Sequence, residues 1–142
     1  MKKVLINIKG YQTVDGDKDD IEITTVGKLE AADDLWQLTY KDRTDDINGE
    51  TVTTLDVQNK DTVTLNRSGS IESCMTIQRG KRHTSLYSVG DICFTLGTFG
   101  ELVKSDISEN GGNIKLKYTI DINSNYARTN EIDISVREIS QQ

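Results

Sequence analysis

Apolar residues recur at every second position along the chain, in short runs broken by turn-forming residues. Val4, Ile6 and Ile8 form the first series, and Ile21, Ile23, Thr25, Gly27 and Leu29 the second. Trp36, Leu38 and Tyr40 follow, then Thr53, Leu55 and Val57, then Val63, Leu65 and Arg67. Ile71, Ser73, Met75 and Ile77 make the next series, and Ile92, Phe94 and Leu96 another. The longest runs from Ile114 through Leu116, Tyr118 and Ile120 to Ile122, and Ile132, Ile134 and Val136 close the chain. Between them stand Asp15-Gly16-Asp17, Asp33-Asp34, Asn48-Gly49, Asn59-Lys60-Asp61, Ser68-Gly69-Ser70, Arg79-Gly80-Lys81, Gly90-Asp91, Asn110-Gly111-Gly112 and Asn123-Ser124-Asn125. These residue types supply the positive φ or side-chain capping of tight hairpins. No window shows a helical stripe; at most a single helical turn fits around Ala31-Ala32 or Gly100–Leu102.

The spacing predicts an all-β chain. Its 142 residues suit a single domain, 1–142. Evenly spaced short strands point to an up-and-down antiparallel meander. Left open, such a sheet exposes two edges, and closure removes them. We therefore expect a barrel of about 8–10 strands rather than a sandwich, wide enough to be filled by side chains or to hold one small ligand. Proline is absent, as long paired strands favour.

Composition narrows the functional classes. The formal net charge of −6 argues against nucleic acid as a general partner. Two cysteines and one histidine are too few for a structural zinc site. Cys74 and Cys93 should face outward as free thiols, because an intervening strand would hold them about 9–10 Å apart, beyond disulfide reach. No apolar stretch approaches the length of a membrane span, and the N-terminus lacks the apolar core of a signal peptide. No membrane association is expected, and the cytoplasm is the simplest address.

The ordered motifs resemble a known family. Val4-Leu5-Ile6-Asn7-Ile8-Lys9-Gly10, the Asp-rich first turn, Leu65-Asn66-Arg67-Ser68-Gly69, His83-Thr84-Ser85-Leu86-Tyr87 and Ile114-Lys115-Leu116-Lys117-Tyr118 look like the YwiB-like family of uncharacterised bacterial proteins. The resemblance spans essentially the whole chain. It implies a lipocalin-like, calycin-type β-barrel in a cytoplasmic bacterial protein. It implies no activity and no site residues, since the family is a domain of unknown function. The Gly-x-Trp signature of true lipocalins is missing, so ligand transport rests on fold analogy alone.

Candidate chemistry is sparse. Asp15, Asp17 and Asp19 open like a calcium loop, but Asp20 and Val26 occupy the places of its glycine and glutamate, and a solvated hairpin turn is the simpler reading. Arg79-Gly80-Lys81-Arg82 reads as a charged hairpin tip, without the interleaved aromatic platforms of single-strand binders. His83, Ser85 and Tyr87 share one strand face with steps of about 7 Å, too long for a nucleophile–base bond. No catalytic residues, metal site or cofactor are assigned. Trp36, Tyr40, Phe94 and Tyr118 should point inward, where rings either fill a barrel or grip a flat ligand. Arg67 continues the inward series of Val63 and Leu65, and a charge there needs a partner. Glu138 or Glu101 is the expected partner.

Three functional classes remain. A protein-interaction or assembly module, including an oligomer of identical chains, would show a filled interior. Binding of a small anionic or amphipathic ligand would show a cavity of a few hundred Å³ lined by Arg67, Tyr118, His83, Tyr87 and Trp36. An enzyme, the least favoured, would show clustered titratable groups.

Overall fold

The computed structural model describes residues 2–14, 16–45, 49–58, 61–69, 71–89 and 91–139. Ten strands follow one another: β1 (Lys2–Val14), β2 (Asp17–Ala32), β3 (Leu35–Asp45), β4 (Gly49–Gln58), β5 (Thr62–Gly69), β6 (Ile71–Gln78), β7 (Arg82–Val89), β8 (Ile92–Ser105), β9 (Gly111–Ile122) and β10 (Asn125–Glu138). Each pairs antiparallel with the next, and β1 pairs with β10 to close a barrel. The described residues contain no helix, hence none long and apolar enough to cross a membrane.

The period-two pattern builds this wall directly. Val4, Ile6, Leu38, Leu55, Val63, Ile77, Ile114 and Leu116 are fully buried and fill one end of the lumen. The outward partners Lys3, Lys9, Lys104 and Lys115 are exposed. Turn chemistry is also as the sequence predicts. Asn123 and Ser124 take φ of 51° and 72°, the paired left-handed geometry of a two-residue hairpin. Gly80 turns the β6–β7 corner at φ 78°. The turns written for Asp15, Asn48, Asn59-Lys60, Ser70 and Gly90 fall on positions outside the described residues.

Neither candidate helical turn forms. Ala31-Ala32 ends β2, and Gly100–Leu102 is a bulge within β8, where the register against β9 shifts. A second bulge shifts the β9–β10 register between Tyr126 and Arg128. Each bulge flips the alternation beyond it. Tyr126 therefore points to solvent, although Arg128 and Asn130 on its own strand point inward.

Two departures from regular closure matter for function. The β2–β3 ladder runs only from Gly27–Tyr40 to Ala32–Leu35. Among the described residues, 17–26 of β2 pair with β1 alone, which leaves a split in the wall. Ile21 and Ile23 hold the inward phase there but flank the split, and are 59% and 36% exposed. The β6–β7 ladder likewise parts beyond Ser73–Tyr87, and Thr98 Oγ of β8 donates to Thr76 O of β6 at 2.7 Å instead.

Candidate functional site

Above the filled end, the lumen opens into a chamber of two lobes. The first, about 480 Å³, is walled by Ile8, Leu55, Leu65, Leu116, Ile132 and Ile134, and reaches the β2–β3 split at Ile21 and Ile23. The second, about 270 Å³, is walled by Met75, Tyr87, Phe94, Leu96, Ile120 and Arg128. Gln12, Arg67, Tyr118 and Asn130 border both. Arg67 stands on β5 and Asn130 on β10, which lie five strands apart in either direction around the ten-strand ring. The first lobe thus lies mainly against β1–β4 and the second mainly against β6–β9, with Leu116 of β9 also on the first.

The dividing residues are polar side chains in an apolar frame. Tyr118 is buried, and its phenol accepts a hydrogen bond from Asn130 Nδ2 at 3.3 Å. Burial pushes the phenol's pKa above its ordinary value, partly offset by the Asn130 bond and the charges of Arg67 and Arg128. The hydroxyl therefore keeps its proton and remains a donor.

Orphaned polar atoms concentrate in this region. Among the described residues, the buried side-chain atoms without a hydrogen-bond partner are Thr51 Oγ1, Thr53 Oγ1, Arg67 Nε, Ser73 Oγ, Arg128 Nε and Asn130 Oδ1. Thr53 and Ser73 are the direct cross-strand neighbours of Arg67 on β4 and β6. Arg67, Arg128 and Asn130 line the chamber, and because buried polar groups in folded proteins are overwhelmingly paired, three unpaired ones on its wall demand a physical reason.

The expected carboxylate partners of Arg67 are elsewhere. Glu138 continues the phase of Ile134 and Val136, but it sits about 26 Å along β10 from Asn130 at roughly 3.3 Å per residue. It is exposed there and pairs with Lys2 at 3.5 Å. Glu101 is the bulge residue of β8, so it does not share the inward phase of Val103. It lies outside, 3.9 Å from Lys117. Arg67 has no ion pair among the described residues.

Of the side chains singled out from sequence, Arg67, Tyr118 and Tyr87 meet in the chamber. Trp36 packs against the core and lines neither lobe. His83 Nε2 lies 2.9 Å from Gln78 Oε1 at the β6–β7 corner, also outside the chamber. Arg128, Asn130 and Gln12 were not expected. The phase of Asn130 with Ile132 and Ile134 was readable, as was that of Gln12 with Ile8 and Gly10. Arg128 continues the series of Asn130, Ile132 and Ile134 up to the β10 bulge, so its phase was equally readable.

A groove of about 570 Å³ on the outer surface carries Arg79, Lys104 and Lys115 beside Asp61 and Asp106. Its charges are mixed, and none of the orphaned atoms lies on it. The cysteines are exposed and unbridged.

Comparison with known proteins agrees with this architecture. The family model described as Domain of unknown function (DUF1934) matches residues 6–134. The crystal structure of the ywiB protein from Bacillus subtilis superposes with a TM-score of 0.88 at 20% identity, covering 98% of this chain and 93% of that one. A structural-genomics protein of unknown function from Bacteroides ovatus gives a TM-score of 0.38 at 12% identity, over 99% of this chain and 46% of that one. None of the curated proteins matches the chain.

Proposed function

The chain belongs to the DUF1934 family, a domain of unknown function, and from its chamber we propose that it binds a small amphipathic anion inside a calycin-type barrel. The observation that carries this reading is the pair of buried, partnerless guanidinium nitrogens, Arg67 Nε and Arg128 Nε, in a cavity that, among the described residues, has no carboxylate beside them in its second lobe. An uncompensated charge in such a place is costly unless a ligand of opposite charge supplies the missing bonds. Apolar walls with a few convergent polar groups are the usual make-up of small-molecule sites. Exposed free thiols suit a reducing compartment, so we assign the protein to the cytoplasm.

Fluorescence titration with anilinonaphthalene sulfonate, a sulfonate carrying aromatic groups, tests the reading. The protein should bind the dye saturably, and the double substitution Arg67→Leu, Arg128→Leu should weaken binding at least tenfold. Equal binding by the double variant would refute it.

One feature favours a second reading, an interaction module. Among the described residues, the β2 edge over 17–26 has no second partner strand, and Ile21, Ile23 and Val26 are exposed along it. Unpaired edges recruit strands from other chains. Sedimentation equilibrium separates the two: self-association lost on Ile21→Lys would support the module, whereas a monomer at all concentrations would remove self-association through this edge.

A further inference from the structure

Building on the ligand-binding reading, we propose that the chamber is shaped for a phosphodiester-class anion, with the charge in the middle of the molecule and an apolar arm on each side. The position of the divider carries the argument. Arg67, Tyr118 and Asn130 lie between the lobes, not at the blind end of either. A terminal anion such as a carboxylate has one substituent. Seated on Arg67, it would fill one lobe and leave the other lobe's apolar wall facing water. A phosphodiester has two substituents leaving a tetrahedral centre in different directions, so one arm enters each lobe.

Its donor needs also match. The two non-bridging oxygens accept hydrogen bonds, and Arg67 Nε, Arg128 Nε and the Tyr118 hydroxyl are donors without an acceptor at the junction or beside it. Charge-assisted bonds of this kind are the strong ones. Asn130 Oδ1 is an acceptor and takes a donor, such as a hydroxyl carried by one arm.

Charge count alone would allow the dianion of a monoester against two arginines. The lining of the first lobe opposes that, because Asp19 and Asp20 belong to it, and Glu131, which also lines it, is already paired with Lys117. A single negative charge fits this field better than two. The walls separate the arms. The first lobe holds Tyr11 and Tyr40 but has the larger aliphatic wall, through Leu55, Leu65, Leu116 and Ile134, and suits an alkyl chain. The second holds Tyr87 and Phe94 beside Met75, and suits a ring.

Calorimetric titration of the purified protein with a matched probe set tests this. The probes are hexyl phenyl phosphate, hexyl phosphate, hexanoate and a dinucleoside monophosphate, a diester with polar arms. The aryl alkyl diester should bind at least tenfold tighter than each of the others. Arg67→Leu should abolish that preference, and Phe94→Leu should weaken the aryl diester severalfold while leaving hexanoate unchanged; circular dichroism shows that each variant folds. Hexyl phosphate or hexanoate binding as tightly as the diester would overturn the central-anion assignment and leave the ligand-binding reading standing. Equal binding of the dinucleoside phosphate would overturn the apolar arms. No binding by any probe would count against this proposal and the binding reading together.

Discussion

A guanidinium in an apolar cavity has three ways to persist: an ion pair, hydration, or a ligand. Arg67 lacks the first among the described residues, which sets the sign of a mutational effect. Arg67→Leu removes an unpaired group rather than breaking a pair. The urea midpoint should hold or rise, by the equivalent of about 1 kcal/mol. A fall on the scale of a broken buried pair, about 3–5 kcal/mol, would mean that Arg67 has a protein partner. Arg82 gives the contrasting case on the outside of the barrel. Its Nε and Nη2 donate to the two Asp121 carboxylate oxygens at 3.0 and 2.6 Å. That fork holds the Asp121 carboxyl below its ordinary pKa. A depressed carboxylate stabilises the fold above its unfolded pKa of about 3.9, and that contribution is lost as pH falls through the folded value. Urea midpoints of wild type and Asp121→Asn should therefore differ at neutral pH and converge in acid; a constant gap would show that the shift does not contribute.

Strands raise the question of what the pattern encodes. Period two tells which side chains face in, and it placed Leu55, Met75, Leu116 and Tyr118 correctly because their own strands, β4, β6 and β9, carry no bulge residue between the inward positions. It failed where the ladder changes phase. Glu101 seemed to share the inward series of Val103, and the β8 bulge set it outside. Tyr126 shares the parity of the inward Arg128 and Asn130, and the β10 bulge turned it out. A bulge adds one residue to one strand and is fixed by pairing across the sheet, which local composition does not record. The same limit applies to the split wall. The sequence shows that β2 is long and acidic at its start, but not where its second ladder ends. Gly27 marks that place. A Cβ there would collide with Thr39 O and with Ile6 Cδ1 in the core, so the close crossing of β2 on β3 requires glycine. Gly27→Ala should cost about 1–3 kcal/mol, seen as a lower urea midpoint; an unchanged midpoint would show that the two strands separate without penalty. The cysteines follow the pattern as expected, on β6 and β8 with β7 between them. Thiol titration of the unfolded, unreduced protein should find both free.

The molecule as a whole has two ends of different character, and their stabilities should differ. One end is packed solid around Val4, Ile6, Leu38, Val63 and Ile114, each at most 1% exposed. The other surrounds the chamber and is bordered by the one-sided segment of β2. Opening the packed end exposes the whole core, so its amides should exchange only through global unfolding. Over 17–26, alternate amides point toward β1 and are bonded in that ladder, while the others point into the split without a partner strand among the described residues. Hydrogen–deuterium exchange should therefore show alternation along this segment, with protected and fast amides interleaved, and its protected amides should still exchange sooner than those of β9. A ligand spanning both lobes would touch Ile21 and Ile23 on this segment and Tyr118 on β9. Binding would then stabilise the weaker end selectively, by mass action on the closed form. Adding an anion that binds at Arg67 should slow exchange in residues 17–26 and around Arg67 severalfold, and leave the packed end unchanged below the global limit. Uniform slowing over all ten strands would instead mean that the barrel opens as one unit, and protection confined to the outer groove near Lys104 and Lys115 would place the anion outside the lumen.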